Sequence, residues 1–156
     1  MVTTKIEIKE HLVEYLQGKY NGCMAGIISL PDRDDLYHII YDLLEKRPAY
    51  CQFDTGNLEL AIPDRRIGKS PEVYNYLGIR SSRIISQKVE TLFWAELHNL
   101  IDENKHQYGI QYIESVAYFM HKYGIQSITE DALLKNYYRW RDKVRKKSKR
   151  RQYAKR

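Results

Sequence analysis

The sequence has few cysteines and no long hydrophobic run, and each absence excludes a class of protein. Only two of its 156 residues are cysteine, Cys23 and Cys51, which is too few for the disulfide framework of a small secreted domain. No apolar stretch approaches the roughly 18 residues that a membrane-spanning helix requires, and the first residues lack the apolar core of a secretory signal. We therefore expect a cytoplasmic protein that does not bind a membrane, with reduced thiols rather than a Cys23–Cys51 disulfide.

Motifs for catalysis or metal binding are incomplete in this chain. The five histidines show no H-x-x-x-H spacing, and the two cysteines form no C-x-x-C pair. Residues 68–70 spell the end of a phosphate-binding P-loop, but Pro63 stands where the first glycine of that motif would fall. Two Pro-Asp pairs and the E-x-K at residues 103–105 imitate a metal-dependent nuclease, yet this E-x-K falls at a predicted helix end and not on a strand beside the carboxylate. We expect no enzymatic activity, no cofactor and no metal.

Tyrosine and segregated positive charge are what the sequence has in excess. There are 14 tyrosines against 3 phenylalanines and 2 tryptophans, a composition suited to half-buried surfaces and interfaces. Residues 135–156 contain 12 of the 26 Lys and Arg residues and a single acid, Asp142, whereas the rest of the chain has 14 bases and 19 acids. An acidic body with a strongly basic end favours a polyanionic partner, and nucleic acid is the first choice.

The hydrophobic pattern predicts a mainly helical α+β fold, with about five helices and a minor antiparallel sheet of two or three strands. Helices are predicted from Thr3 or Thr4 to Gln17, from Asp32 to Arg47, from Ser70 to Leu77, from Ser81 to Glu103, from Ile110 to Tyr123, and from a capping box at Ser127–Glu130 onward. Residues 57–62 alternate as a strand and should pair in a hairpin-like way with residues 26–30, and a third strand could lie near Tyr50. We expect one globular domain over residues 1–146 and a basic disordered arm over residues 147–156.

The last two predicted helices resemble a helix-turn-helix, in which the second helix enters the DNA major groove. The resemblance covers residues 112–144. Positions that suit the motif are Phe119, Gly124, Ile125 and Leu133, and positions that depart from it are Met120 and Glu130. An ordinary αα-hairpin is the alternative interpretation.

Basic side chains recur at helical spacing along the last predicted helix. Like charges four residues apart disfavour an isolated helix, so the arrangement indicates that these charges have a use. We expect Tyr137 and Trp140 to hold the helix against the core while the bases contact phosphate. The predicted DNA-binding residues are Lys135, Asn136, Arg139, Lys143, Arg145, Lys146, Lys147, Lys149, Arg150 and Arg151, and base readout is expected from the first four.

A second basic segment precedes the helix predicted at Ser70. Arg65, Arg66 and Lys69 would meet a phosphate there together with Ser70, because the free N–H groups and the dipole at a helix N-terminus favour an anion. A solvated loop is the alternative.

Two stretches carry a resemblance to a group of known proteins. SITEDALLKNYYRWRDKVRKKSKRR, at residues 127–151, and GKSPEVYNYLG, at residues 68–78, resemble small uncharacterised accessory or regulatory proteins of bacterial phages and integrated mobile elements. The resemblance extends over most of the chain from Leu30 onward. It implies a cytoplasmic regulatory role during the life cycle of such an element, and it carries over no catalytic residue.

The sequence thus predicts a DNA-binding protein, with a role in transcription regulation, that uses its last helix and basic arm. A protein-binding accessory, such as an inhibitor of a host nucleic-acid machine with a tyrosine-rich contact face, is one alternative. Structured RNA is another partner to consider, although the narrow A-form major groove disfavours a recognition helix. A homodimer could form through the long helix predicted at Ser81–Glu103, whose apolar stripe core packing explains equally well.

Overall fold

The computed structural model describes residues 1–20, 26–51 and 53–154. In that part of the chain, five helices and five short strands make a mainly helical α+β protein, as predicted. The strands are β1 (Thr3–Ile6), β2 (Ile27–Ile28), β3 (Glu45–Lys46), β4 (Leu58–Ala61) and β5 (Tyr74–Tyr76), and the helices are α1 (Glu10–Lys19), α2 (Asp35–Leu43), α3 (Ile79–Tyr108), α4 (Tyr112–Tyr123) and α5 (Glu130–Ala154). The chain divides into two compact units, Met1–Trp94 and Ala95–Arg156; one globular domain over residues 1–146 stays a prediction.

The amino-terminal segment begins with a strand and not with the helix predicted from Thr3 or Thr4. Strand β1 buries Thr4 and Ile6 and exposes Lys5, which is the period of two that a half-buried strand shows. Two threonines in succession favour this extended backbone because β-branched side chains restrict χ1. The helical prediction is confirmed only from Glu10 onward, where α1 buries Leu12, Val13, Tyr15 and Leu16.

A mixed three-stranded sheet, in the order β1-β4-β2, lies in the first unit. Strand β1 pairs with β4 in antiparallel fashion, and β2 pairs with β4 in parallel, so the predicted hairpin between residues 26–30 and 57–62 is wrong. The segment between β2 and β4 contains α2 and is long enough for the crossover that a parallel pair needs. The third strand is β1, whereas Tyr50 lies in a turn. Residues 21–25, which include Cys23, lie outside the described part of the chain.

The boundaries of α2 differ from the prediction. The Asp34 carboxylate accepts a hydrogen bond from the Leu36 backbone N–H at 2.8 Å, so Asp34 is the N-cap and the helix starts at Asp35 rather than at Asp32. After α2 ends, β3 pairs antiparallel with β5 in a second, two-stranded sheet. Strand β5 replaces the helix predicted from Ser70 to Leu77, because its tyrosines favour a pleated, half-buried surface.

Arg47 joins the loop that precedes β4 to strand β5. Its guanidinium donates to both carboxylate oxygens of Asp54 at 2.9 and 2.8 Å. It also donates to the side-chain and backbone oxygens of Asn75, both at 2.9 Å. The hydrogen bond to Asp54 is the main cause that raises the pKa of Arg47. A planar guanidinium suits this forked recognition, so one side chain fixes the loop and the strand together.

Helix α3 carries a row of buried apolar residues spaced four residues apart. Each of these side chains is 0% exposed; they are Ile85, Val89, Phe93, Leu97 and Ile101. The helix is longer than the predicted Ser81–Glu103, and the boundary between the two units falls within it. Each unit therefore takes part of its core from one continuous helix.

The second unit contains the end of α3 together with α4 and α5. Gly124 closes α4 with φ 65°, a left-handed cap of the kind that glycine favours. Thr129 caps α5, because its hydroxyl accepts a hydrogen bond from the Ala132 backbone N–H at 3.2 Å, so the cap lies two residues after the predicted capping Ser127 and the helix begins at Glu130. Helix α5 continues to Ala154, and residues 147–154 are helical where the sequence predicted a disordered arm.

Candidate nucleic-acid interface

The connection between α4 and α5 differs from that of a helix-turn-helix. It spans residues 124–129, whereas the motif has a turn of about three or four residues. Ile125 and Leu133 are buried as the motif requires. However, Glu130 and Asp131 are exposed in the first turn of α5, so the end that would enter a major groove carries negative charge. This geometry favours the αα-hairpin interpretation.

Aromatic side chains anchor the first half of α5. Tyr137 is buried, and its hydroxyl donates to the Asp102 carboxylate on α3 at 2.5 Å. Burial is the main cause that raises the pKa of Tyr137, and the hydrogen bond to Asp102 acts in the same direction. Trp140 stacks on His98 with ring centroids 4.5 Å apart. Both aromatic residues therefore hold the helix in place, as the sequence predicted.

Asn136 is directed toward α3, which removes it from the predicted base-reading set. Its Oδ1 lies 3.0 Å from Nε2 of His98. Burial lowers the pKa of His98, although the bond to Asn136 and the charge of Asp102 act in the opposite direction. A side chain engaged with a buried imidazole does not reach base edges, so the prediction for Asn136 is corrected.

Two bases of α5 have partners within the protein. The Lys135 ammonium lies 2.8 Å from the Asp131 carboxylate, and both side chains are more than half exposed, so this pair is weak and exchangeable. Arg141 donates to the Tyr112 hydroxyl at 3.0 Å, and its guanidinium lies over the Tyr138 ring at 5.1 Å. This role of Arg141 was not predicted from the sequence, although tyrosines one helical turn before an arginine are a signal for it.

Five bases line one side of α5, and we call them the basic stripe. At about 100° of rotation and 1.5 Å of rise per residue, they fall within an arc of about 80° and span about 22 Å. They are Lys135, Arg139, Lys143, Lys146 and Arg150. All five are exposed, and within the described residues Lys135 alone has a salt bridge. The other four bases of the stripe therefore present positive charge that no salt bridge among the described residues neutralises.

The carboxyl-terminal half of α5 is exposed on all sides. Every residue from Asp142 to Ala154 is exposed, and we call this stretch the projecting segment. Val144 ends the apolar row of the helix and is already 47% exposed; Lys147 and Arg151 occupy that side afterwards. Arg145 and Lys149 lie on the other side of the stripe, as the helical period requires. Cationic side chains therefore cover about 240° of the projecting segment, and the remaining side carries Val144, Ser148 and Gln152.

The second basic segment, residues 65–70 in the first unit, does not form the predicted anion site. Because β5 follows Ser70, there is no helix N-terminus at this position. The Lys69 ammonium instead donates to the backbone oxygens of Tyr41, Asp42 and Leu44 at 3.1, 2.7 and 2.8 Å. These carbonyl groups belong to the last turn and the C-cap of α2, where a helix leaves acceptors without α-helical partners. Lys69 is therefore a helix cap.

Arg65 is also engaged within the first unit. Its guanidinium carbon lies 3.9 Å from the centroid of the Tyr41 ring, and its Nη2 lies 2.6 Å from Nδ1 of His38. Stacking on tyrosine is a cation–π contact. Arg66 and Ser70 are exposed, so Arg66 is the member of this segment that keeps an accessible charge.

No family model matches the chain, and neither a curated protein nor a solved structure matches it. The resemblance to proteins of phages and mobile elements stays a prediction. None of the described helices combines the length and hydrophobicity that a membrane crossing demands, and the described residues contain no group of three or more His, Cys, Asp and Glu side chains that could hold a metal ion. The charge and geometry of α5 are therefore the basis for a functional proposal.

Proposed function

We propose that this protein binds duplex DNA through the basic stripe and the projecting segment of α5, in a regulatory role. The stripe is the observation that carries the proposal. Arg139 and Lys143 are four residues apart, as are Lys146 and Arg150, and like charges at this spacing destabilise a helix by about 0.2–0.5 kcal/mol per pair. A row of phosphates relieves this repulsion and releases condensed counterions on binding.

The dimensions of the stripe suit a DNA strand. Its length of about 22 Å corresponds to about six phosphates at 3.4 Å of axial rise per phosphate. Five contacts predict a slope of about −4.5 for the logarithm of the association constant against the logarithm of salt concentration. Affinity should therefore fall by roughly 10² to 10³ between about 50 and 200 mM salt.

A salt titration with short duplexes of unrelated sequence tests the proposal. The stripe variant carries Arg139→Gln, Lys146→Gln and Arg150→Gln, and the magnitude of its slope should be smaller by about three because three phosphate contacts are lost. The matched control carries Arg33→Gln, Arg80→Gln and Arg83→Gln, three exposed arginines of the first unit, and removes the same charge elsewhere. Equal losses in both variants would contradict the assignment of binding to the stripe.

A protein partner is the second candidate, and an exposed aromatic surface in the second unit favours it. Tyr108 and Tyr118 are 71% and 55% exposed and border an open cavity of about 440 Å³ with Leu100 and Ile110. Tyrosine at the edge of an apolar hollow is common in protein interfaces. Nuclease treatment before co-purification separates the candidates. After nuclease treatment, a DNA binder loses its co-purifying proteins, whereas a protein binder keeps them. In the second case, the variant Tyr118→Ser should no longer co-purify with the partner.

A further inference from the structure

We infer that the projecting segment enters the major groove of B-form DNA as a helix, with little sequence preference, and that the DNA strengthens this helix. The inference rests on the proposed function and adds the shape of the ligand and the state of the segment. It replaces two sequence-based expectations, namely a disordered arm lying along phosphates and base readout from the first turns of α5.

The size and exposure of the segment fit a groove. From Asp142 to Ala154 the helix is exposed at every position, and it spans about 20 Å at 1.5 Å per residue. The major groove of B-form DNA, about 12 Å wide, admits an α-helix. A helix that packs on its own protein along one side exposes only part of its circumference to a ligand, whereas this segment exposes all of it.

The charge distribution also fits a groove that has phosphates on both walls. Three members of the stripe lie in the segment, namely Lys143, Lys146 and Arg150. On one side of them lie Arg145 and Lys149, and on the other side lie Lys147 and Arg151. A flat anionic surface would engage the stripe alone. The apolar row of α5 ends at Val144, so the segment lacks the heptad seam with which it would pair with another helix.

The first turns of α5 are poorly suited to reading bases. Glu130 and Asp131 are exposed there, and acidic side chains repel the phosphates that flank a groove. Asn136, which has the amide suited to adenine, is engaged with His98 at 3.0 Å. Binding therefore depends on phosphate contacts, which position a protein on DNA without selecting a sequence.

The projecting segment is weakened by its own charges when no anion is present. Its like-charged pairs four residues apart are Lys143 with Lys147, Lys147 with Arg151, Arg145 with Lys149, and Lys146 with Arg150. Asp142 with Lys146 is the favourable pair at that spacing. Repulsion of this kind disfavours an isolated helix, and phosphates on two sides remove it. Groove insertion and helix stabilisation are therefore coupled.

A proline and an alanine at one exposed position test the inference without changing the charge. Ser148 lies in the middle of the segment and is exposed. Ser148→Pro removes the backbone N–H and clashes with the carbonyl of Val144, which breaks the helix, whereas Ser148→Ala favours it. Ser148→Pro should weaken binding to duplex DNA by roughly 10- to 100-fold, and Ser148→Ala should bind at least as tightly as the unchanged chain.

Duplex RNA and amide hydrogen exchange complete the experiment. The deep, narrow major groove of A-form RNA excludes a helix, so RNA should bind more weakly and equally to both variants. Saturating DNA should raise exchange protection across residues 144–154. Equal DNA affinity of the two variants, or unchanged protection at saturation, overturns the inference while leaving DNA binding intact. Failure of the unchanged chain to bind any duplex rejects the proposed function itself.

Discussion

Lys69 is a base with a structural role, unlike the bases of α5 that we propose bind DNA. Its ammonium donates to three carbonyl oxygens at the end of α2, and two of these belong to the buried residues Tyr41 and Leu44. Its backbone N–H also donates to the Tyr41 hydroxyl at 2.7 Å. Gly68 beside it leaves no room for a Cβ against that hydroxyl, so the loop is closely docked on α2.

Lys69→Met keeps most of the aliphatic stem and removes the charge and its hydrogen bonds. Favourable interaction of a cation with a helix C-terminus contributes about 0.3–1 kcal/mol, and a hydrogen bond to a charged group contributes about 1.5–3 kcal/mol. Lys69 is partly exposed, so water can replace part of the interaction with the carbonyl oxygens. We therefore expect the free energy of unfolding to fall by about 2 kcal/mol. For a chain of this length the loss corresponds to a fall of about 4–8 °C in Tm.

Urea unfolding followed by circular dichroism measures this loss, and duplex binding is measured on the same samples. Arg66→Gln is the matched control. Arg66 lies two residues after Asp64 and is exposed, and the sequence predicted the same phosphate-contacting role for it as for Lys69. We expect Lys69→Met to be less stable with unchanged DNA affinity, and Arg66→Gln to be as stable as the unchanged chain. A stable Lys69→Met variant that has lost DNA affinity would refute the assignment of Lys69 as a helix cap.

Two further predictions concern the stability of each unit. Arg47→Ala leaves the Asp54 carboxylate, which is 16% exposed, without its cation and should cost about 2–3 kcal/mol in urea unfolding, with Arg33→Ala as an exposed control. Burial lowers the pKa of His98 in the folded chain, so the unfolded chain binds a proton on this imidazole more tightly. The contribution of His98 to stability is therefore complete above about pH 6.5 and declines as the pH falls below that value. His98→Gln should make this decline shallower between about pH 7.5 and pH 5, and an identical decline would contradict the role of His98. Burial also lowers the pKa of His11, which should contribute to the decline that remains.

The fold was predictable where periodicity is long and local. Helix α3 repeats apolar residues at a spacing of four over many turns, and it contains the long helix predicted at Ser81–Glu103. The strands were harder, because β1 and β2 are short and their partner β4 is distant in the chain. Pairing direction depends on the crossover between strands and not on the residues in them, so the parallel pair β2–β4 had no local signal.

The candidate interface was likewise predictable only where the signal is local in the sequence. Exposure of the basic stripe follows from the helical period, once Leu133 and Tyr137 identify the buried side of α5. Asn136 and Lys69 were assigned to the surface because their partners are distant in sequence: His98 precedes Asn136 by 38 residues, and Leu44 precedes Lys69 by 25. Tertiary contacts of this kind override what a composition or a motif indicates.

The helix dipole accounts for some of the charge on α5 and not for the rest. Acids in the first turn and a base in the last turn stabilise a helix, by about 0.3–1 kcal/mol each, and the effect falls off within one turn. Glu130, Asp131 and Arg151 fit that explanation, but Arg139 and Lys143 lie in the middle of the helix, where they repel each other by about 0.2–0.5 kcal/mol. Solubility alone is served by interspersed charges of both signs. A continuous row of one sign weakens the helix that displays it, and the polyanionic partner that we propose would give each base of the row a role.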